Sequence, residues 1–170
     1  MVYTKSDIDN EYYLVRDVPN KQHASNMLAR IKENIIKLST YLYLNKSDKN
    51  NAVYSEYIDR LYSRAPNIIL VESDADSIHT SYSVNKGEQI VFCLRSKNFD
   101  GMHTINLIMY VVLHEISHVA CPIYDNHGPL FRKIFTFITN TAIFLKMYTK
   151  IPFYEEPTEY CGLTITDSIV

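Results

Sequence analysis

The residues of this chain with the clearest chemistry are His114-Glu115-Ile116-Ser117-His118. If this stretch is helical, the two imidazoles lie four residues apart, about 6 Å along the axis and on one face. Both ring nitrogens can then reach one metal ion. Glu115 sits one residue round the cylinder, where its carboxylate can touch a water on that ion without binding the ion itself. Two histidines and a glutamate that share one ion in this way make a zinc site with a general base beside it.

The surrounding residues support that reading. Thr104 to Ala120 is apolar on nearly every face, so the spacing predicts a helix inside the fold rather than on its surface. Thr104 is the expected N-cap, and Cys121-Pro122 ends the run because a residue before proline avoids the helical region. Burying two histidines and a glutamate in such a helix is costly unless each polar group has a partner. A metal ion supplies a partner for all three. The plain alternative is two satisfied core histidines and a surface glutamate.

A zinc site that does chemistry needs a third protein ligand and one open position. His127 is the best candidate, nine residues beyond His118 in the loop-like Pro122-Ile-Tyr-Asp-Asn-His-Gly-Pro129. Asn126 and Gly128 tolerate unusual backbone angles, and Pro129 suits the first turn of a following helix. Cys121 and Asp125 compete for the third place. Thiolates favour closed structural sites, however, and Asp125 suits an orienting role equally well. His103 lies about three turns before the pair and cannot reach the same ion.

At these residues the chain resembles the SprT-like and WLM zinc metallopeptidases. His114-Glu115-x-x-His118 followed by Asn126-His127-Gly128-Pro129-Leu130-Phe131 looks like their core, in which a helix carries two ligands and the catalytic glutamate. The stretch from Ser83-Val-Asn-Lys-Gly87 to Tyr160-Cys-Gly-Leu-Thr164 is closer still to compact metallopeptidases of large DNA viruses. The likeness covers the second half of the chain and implies His114, His118 and His127 as zinc ligands and Glu115 as base. It does not extend to the paired-cysteine zinc module or the ubiquitin- or SUMO-binding tails of DNA-repair members, which argues against a DNA–protein crosslink substrate.

The implied reaction is peptide hydrolysis. Zinc lowers the pKa of a water to about 7 and polarises the carbonyl, while Glu115 takes the water's proton and hands it to the leaving amine. Tyr124 and Tyr160 are candidates for steadying the oxyanion, although any one of fourteen tyrosines has packing as its ordinary role. The alternative function is a non-catalytic, zinc-stabilised binding module, for instance a virion component.

The elements that must position this site follow from periodicity. The expected fold is α+β, a compact zincin-like single domain with N-terminal helices, a small three- to four-stranded sheet, and the HExxH helix followed by one more. Residues 1–66 form the helical part, 67–96 the sheet, 104–148 the metal-site helices and 149–170 a wrapping tail of loop and short strand. Met27, Leu28, Ile31, Ile35, Leu38 and Leu42 predict a helix over 21–45. Val53, Tyr57, Leu61 and Tyr62 predict a second over 51–64. Strands are expected at 67–71, 81–84 and 89–95, with 85–88 as a hairpin turn. In zincin-type enzymes an edge strand receives the substrate by strand addition, and 89–95 suits that role or that of an internal strand. Residues 130–148 predict the last helix, too short an apolar run to span a bilayer.

Charge and cysteines bound the biology. A net charge of −2 with scattered Lys and Arg gives no basic stripe, which argues against nucleic acid as the main partner and leaves a protein or peptide substrate. Three widely spaced cysteines suit free thiols in a reducing compartment, and Met1 to Asp7 has no apolar signal core. Those features predict an intracellular protein, in host cytoplasm or virion if viral. No membrane association is expected. Oligomeric state is not legible.

Overall fold

The structure is a computed structural model that describes residues 1–99, 101–123 and 126–170. Its centre is a helix that is apolar nearly all round, α3 (Ile105–Ala120), with Ile108, Val112, Leu113, Ile116 and Val119 fully buried. Each such side chain contributes about 1.5–3 kcal/mol by leaving water. Three helices pack around it: α1 (Lys21–Leu44), α2 (Ser55–Arg64) and α4 (Pro129–Phe144). Thr104 caps α3, its hydroxyl accepting the Leu107 N–H at 3.3 Å, and Cys121 leaves in an extended conformation, as the sequence predicts.

A five-stranded sheet completes the fold. The order is β1 (Val2–Lys5), β2 (Tyr12–Val15), β3 (Ile69–Glu72), β5 (Gln89–Phe92), β4 (Tyr82–Val84). β2, β3 and β5 run parallel, and both outer pairs are antiparallel. The sheet is therefore larger than the expected three or four strands, because residues 1–66 contribute a hairpin before their helices. That hairpin carries little signal: its strands have four residues each, and its loop is closed by the Ser6 N–H to the Glu11 carbonyl rather than by a glycine turn.

Other boundaries shift for local reasons. α2 begins at Ser55, after a 3₁₀ turn over Ala52–Tyr54, so Val53 is exposed rather than inward and Ile58 joins Leu61 in the core. α4 stops at Phe144, where Lys146 turns to φ +60°. The tail forms a hairpin, β6 (Thr158–Tyr160) and β7 (Leu163–Ile165), joined by Cys161 and Gly162, both at positive φ as a tight two-residue turn requires.

That turn carries the largest correction. Cys93, just after β5, and Cys161 form a disulfide, and Cys121 is free and buried. The expectation of three free thiols fails because 68 residues separate two cysteines that the returning tail brings together. The argument for a reducing compartment goes with it. Beside the bridge, His103 Nε2 accepts the Cys161 N–H at 3.0 Å. The ring is therefore neutral at that nitrogen, and its 3.6 Å approach to Glu159 is not an ion pair. Among the described residues no helix is long and apolar enough to cross a membrane.

Glu72, fully buried at the end of β3, joins the sheet to its flanks. Its carboxylate accepts the Arg16 N–H at 2.8 Å and the Arg95 Nε–H at 2.6 Å. Paired in this way the buried charge is tolerable.

Candidate metal centre

Each imidazole at this centre is set by a different backbone device. His114 and His118 leave α3 one turn apart, with ring centroids 4.8 Å from each other. His127 comes from the segment joining α3 to α4. There Asn126 and His127 themselves take the left-handed conformation, at φ 42° and 69°, whereas Gly128 is ordinary extended backbone. Sequence reasoning assigned the unusual angles to Asn126 and Gly128, so half of that assignment moves by one residue. A non-glycine residue held left-handed costs roughly 1–2 kcal/mol. The reversal aims His127 back at the helix.

The three rings converge. His127 Nε2 lies 3.0 Å from His114 Nε2 and 3.1 Å from His118 Nε2, and one ligand atom from each ring falls within 4.8 Å of the others. Hydrogen bonding cannot account for this arrangement, since one imidazole nitrogen donates to at most one of the two it faces. A shared cation satisfies all three lone pairs. Donors about 2.0–2.1 Å from a zinc ion in tetrahedral array stand roughly 3.3 Å apart, close to the separations found. The donor set fits zinc.

Electrostatics agree with that use. Burial, then the neighbouring His114 and His127, push the His118 pKa down to about 4, so its ring is neutral and ready to ligate at pH 7. His127 is lowered by burial and by His114. Aromatic faces hold the rings in place: Phe131 stacks on His118 at 4.1 Å between centroids, and Phe135 meets His114 edge-on at 5.4 Å.

Glu115 is buried, only 5% exposed, and its Oε1 lies 3.4 Å from His114 Nδ1. Its carboxylate lines a cleft of about 410 Å³ together with the three histidines, Lys86, and Ser81, Tyr82 and Ser83 at the start of β4. The strand beside the centre is thus β4, an edge of the sheet, while β5 is flanked by β3 and β4. Of the two roles the sequence leaves open for 89–95, β5 takes that of an internal strand. Ser81, Tyr82 and Lys86 were not singled out from the sequence. Their signal is position: Ser81 and Tyr82 stand just before the 85–88 turn and Lys86 within it.

The remaining described candidates make other contacts. Tyr160 is 3% exposed, and its hydroxyl donates to the Cys93 carbonyl at 2.7 Å and meets Ser81 Oγ at 2.6 Å. Ser81 Oγ in turn accepts the Cys93 N–H, closing a ring of hydrogen bonds that stitches tail, β4 and β5 together. These bonds give Tyr160 a structural role in tying the tail to the sheet. Tyr124 and Asp125 lie outside the described residues. Cys121 directs its thiol to the Ile123 carbonyl at 3.3 Å and is not part of the histidine group. His103 is distant in role, as expected, buried against the tail.

Comparison with known proteins places this arrangement in context. The chain is 42% identical over 168 residues to the "Uncharacterized protein R325" of Acanthamoeba polyphaga mimivirus, a match covering 99% of this chain and 84% of that protein. No protein-family profile matches. Among solved structures, Wss1 from Saccharomyces cerevisiae superposes with a TM-score of 0.55 at 20% identity, over 79% of this chain and 89% of that one. Wss1 from S. pombe does so with 0.51 at 20% identity, over 76% and 89%. At such identity the likeness to Wss1 is one of fold, a helical α+β architecture with a small mixed sheet. The longer and closer match decides kinship: this chain belongs to the same family as the mimivirus protein.

Proposed function

We propose that the chain is a zinc-dependent metallopeptidase in which His114, His118 and His127 hold the metal and Glu115 is the general base. The observation that carries this reading is the convergence of three imidazole nitrogens beside a buried carboxylate, in a cleft bordered by the outermost strand of the sheet. The shared fold with Wss1 and the sequence resemblance to SprT-like and WLM metallopeptidases point the same way.

The chemistry divides between ion and chain. When bound, zinc would acidify a water and polarise the scissile carbonyl. Glu115 receives the water's proton on a carboxylate oxygen as the oxygen attacks the carbonyl carbon. It then returns that proton to the amine as the C–N bond breaks. Burial of Glu115 keeps competing solvent away from this transfer. Among the described residues the outer edge of β4 pairs with no other strand, so main-chain hydrogen bonds can lay an extended substrate across the histidines, whatever its side chains.

The test is a digest of a peptide library by zinc-loaded protein. Cleavage is expected to stop with chelator and return with zinc. Glu115→Gln is expected to retain zinc and lose on the order of 10²–10⁴ in kcat, the span of general acid–base catalysis. Unchanged turnover in that variant removes Glu115 from the reaction. Stoichiometric zinc with no cleavage by the wild type favours the binding-module alternative.

A further inference from the structure

A second hollow opens on the other side of the same histidines. His114 and His127 line both it and the cleft described above, so the two hollows meet at the metal centre. Its volume is about 380 Å³, within the range of pockets that take a small ligand or a single large side chain. The inner wall is aromatic: Tyr110 from α3 and Phe131 and Phe135 from α4, at 9%, 2% and 5% exposure.

These rings form a rigid set, with Tyr110 and Phe135 centroids 5.4 Å apart and Phe131 and Phe135 5.6 Å apart. The outer wall is the strand of chain through Ile169, fixed by its N–H donating to the Tyr110 hydroxyl at 3.1 Å. At the mouth stand exposed Arg132 and Asp167, which make no ion pair among the described residues. Their opposite charges leave the mouth without a net sign to select for.

We infer that this hollow is the specificity pocket of the enzyme, receiving the side chain of one residue that flanks the scissile bond and selecting a large apolar one. The inference rests on the metallopeptidase reading and adds a substrate class to it. A peptide laid along β4 and over the histidines meets the second hollow at His114 and His127, which line both, and an apolar side chain there leaves water for aromatic surface. A glycine or a lone charge at that position gains nothing from the same walls, and a charge is penalised by them. Ile169 and Ser168 act as positioning residues for the outer wall.

The experiment has a turnover arm and a binding arm. In the library digest by zinc-loaded wild type, one position next to the cut is expected to be enriched about tenfold or more in Phe, Leu, Met or Tyr over Gly, Asp and Lys. Ser168→Phe, which places a ring in the hollow from the half-buried outer wall, is expected to bring that ratio toward one with zinc content unchanged. In the binding arm, Glu115→Gln protein is titrated with a fluorescein-labelled pentapeptide carrying Phe or Gly at the same position. The Phe peptide is expected to bind about tenfold more tightly. Chelator-sensitive cleavage with a flat profile, or equal binding of the two peptides, overturns the pocket and leaves the metallopeptidase standing. Selective binding of the Phe peptide without any cleavage by wild type overturns the metallopeptidase and leaves the pocket.

Discussion

At the scale of single residues, the metal centre turns on the protonation state of its imidazoles and the backbone that aims them. His118, with its pKa near 4, needs no proton removed at neutral pH before it can ligate. The His127→Ala chain is expected to stay folded and to lose more zinc affinity than the roughly 10–100-fold that removing an outer-sphere partner costs. A competition titration against a zinc chelator measures this, and wild-type affinity in the variant would take His127 out of the ligand set. Acid acts through the same groups and through His103. His118 and buried His103 both have folded pKa values below 6.5, so the unfolded chain binds protons first as the pH falls. Their contribution to stability is whole above pH 6.5 and is lost on the way down toward 4. The melting temperature of the metal-free protein is expected to fall between pH 7 and pH 5; a flat or rising profile would contradict the assignment. The pair on α3 was legible because a four-residue spacing in an apolar helix puts both rings on one face, and His127 because it follows in a turn-like segment just beyond. The role of Tyr160 was not, because its partners, the backbone of Cys93 and Ser81, stand 67 and 79 residues away.

At the scale of elements, the centre depends on where α3 sits against β4 and its turn. The 85–88 turn contains three successive residues at positive φ, Asn85, Lys86 and Gly87. Gly87, at φ +98°, lies so close to α3 that an added Cβ would stand 2.4 Å from Val119 Cγ2. Val119 follows His118 directly. Gly87→Ala is therefore expected to destabilise the chain by about 1–3 kcal/mol and to weaken zinc binding together with stability. Calorimetric melting of the variant checks the first effect, and an unaltered melting temperature would mean that the turn does not brace the helix. Helices were the most legible elements, since α1 and α3 declare themselves by long apolar periodicity. The N-terminal hairpin was not, being two four-residue strands whose register depends on partners such as Val71, opposite Leu14. The edge role of β4 was equally hidden, because strand order in a sheet is a property of the fold and not of local pattern.

At the scale of the whole molecule, the tail is what closes the structure around its site. It is held by the Cys93–Cys161 disulfide, by the ring of hydrogen bonds through Tyr160 and Ser81, and by Tyr110 gripping the Ile169 N–H. A bridge spanning 68 residues restricts the unfolded chain by about 4 kcal/mol on the loop-entropy account. Reduction, or Cys161→Ser, is expected to lower the denaturant midpoint accordingly while the histidine ligands keep their zinc. Equal midpoints for oxidised and reduced protein would contradict a structural bridge. The α+β class, the succession of helices and a wrapping tail with a short strand were readable from the chain, whereas the tail's hairpin pairing and its partners in the core were not. Its short strands are specified by contacts with residues 58 to 79 positions away, such as His103, Cys93 and Ser81, and no local periodicity marks them.

The measurement that bears most directly on the central claim is X-ray absorption at the zinc edge of the loaded protein. Three histidine nitrogens at about 2.0–2.1 Å and one solvent oxygen are expected, a shell open to substrate on the side of Glu115. A sulfur scatterer near 2.3 Å, or fewer than three histidine nitrogens, would contradict it.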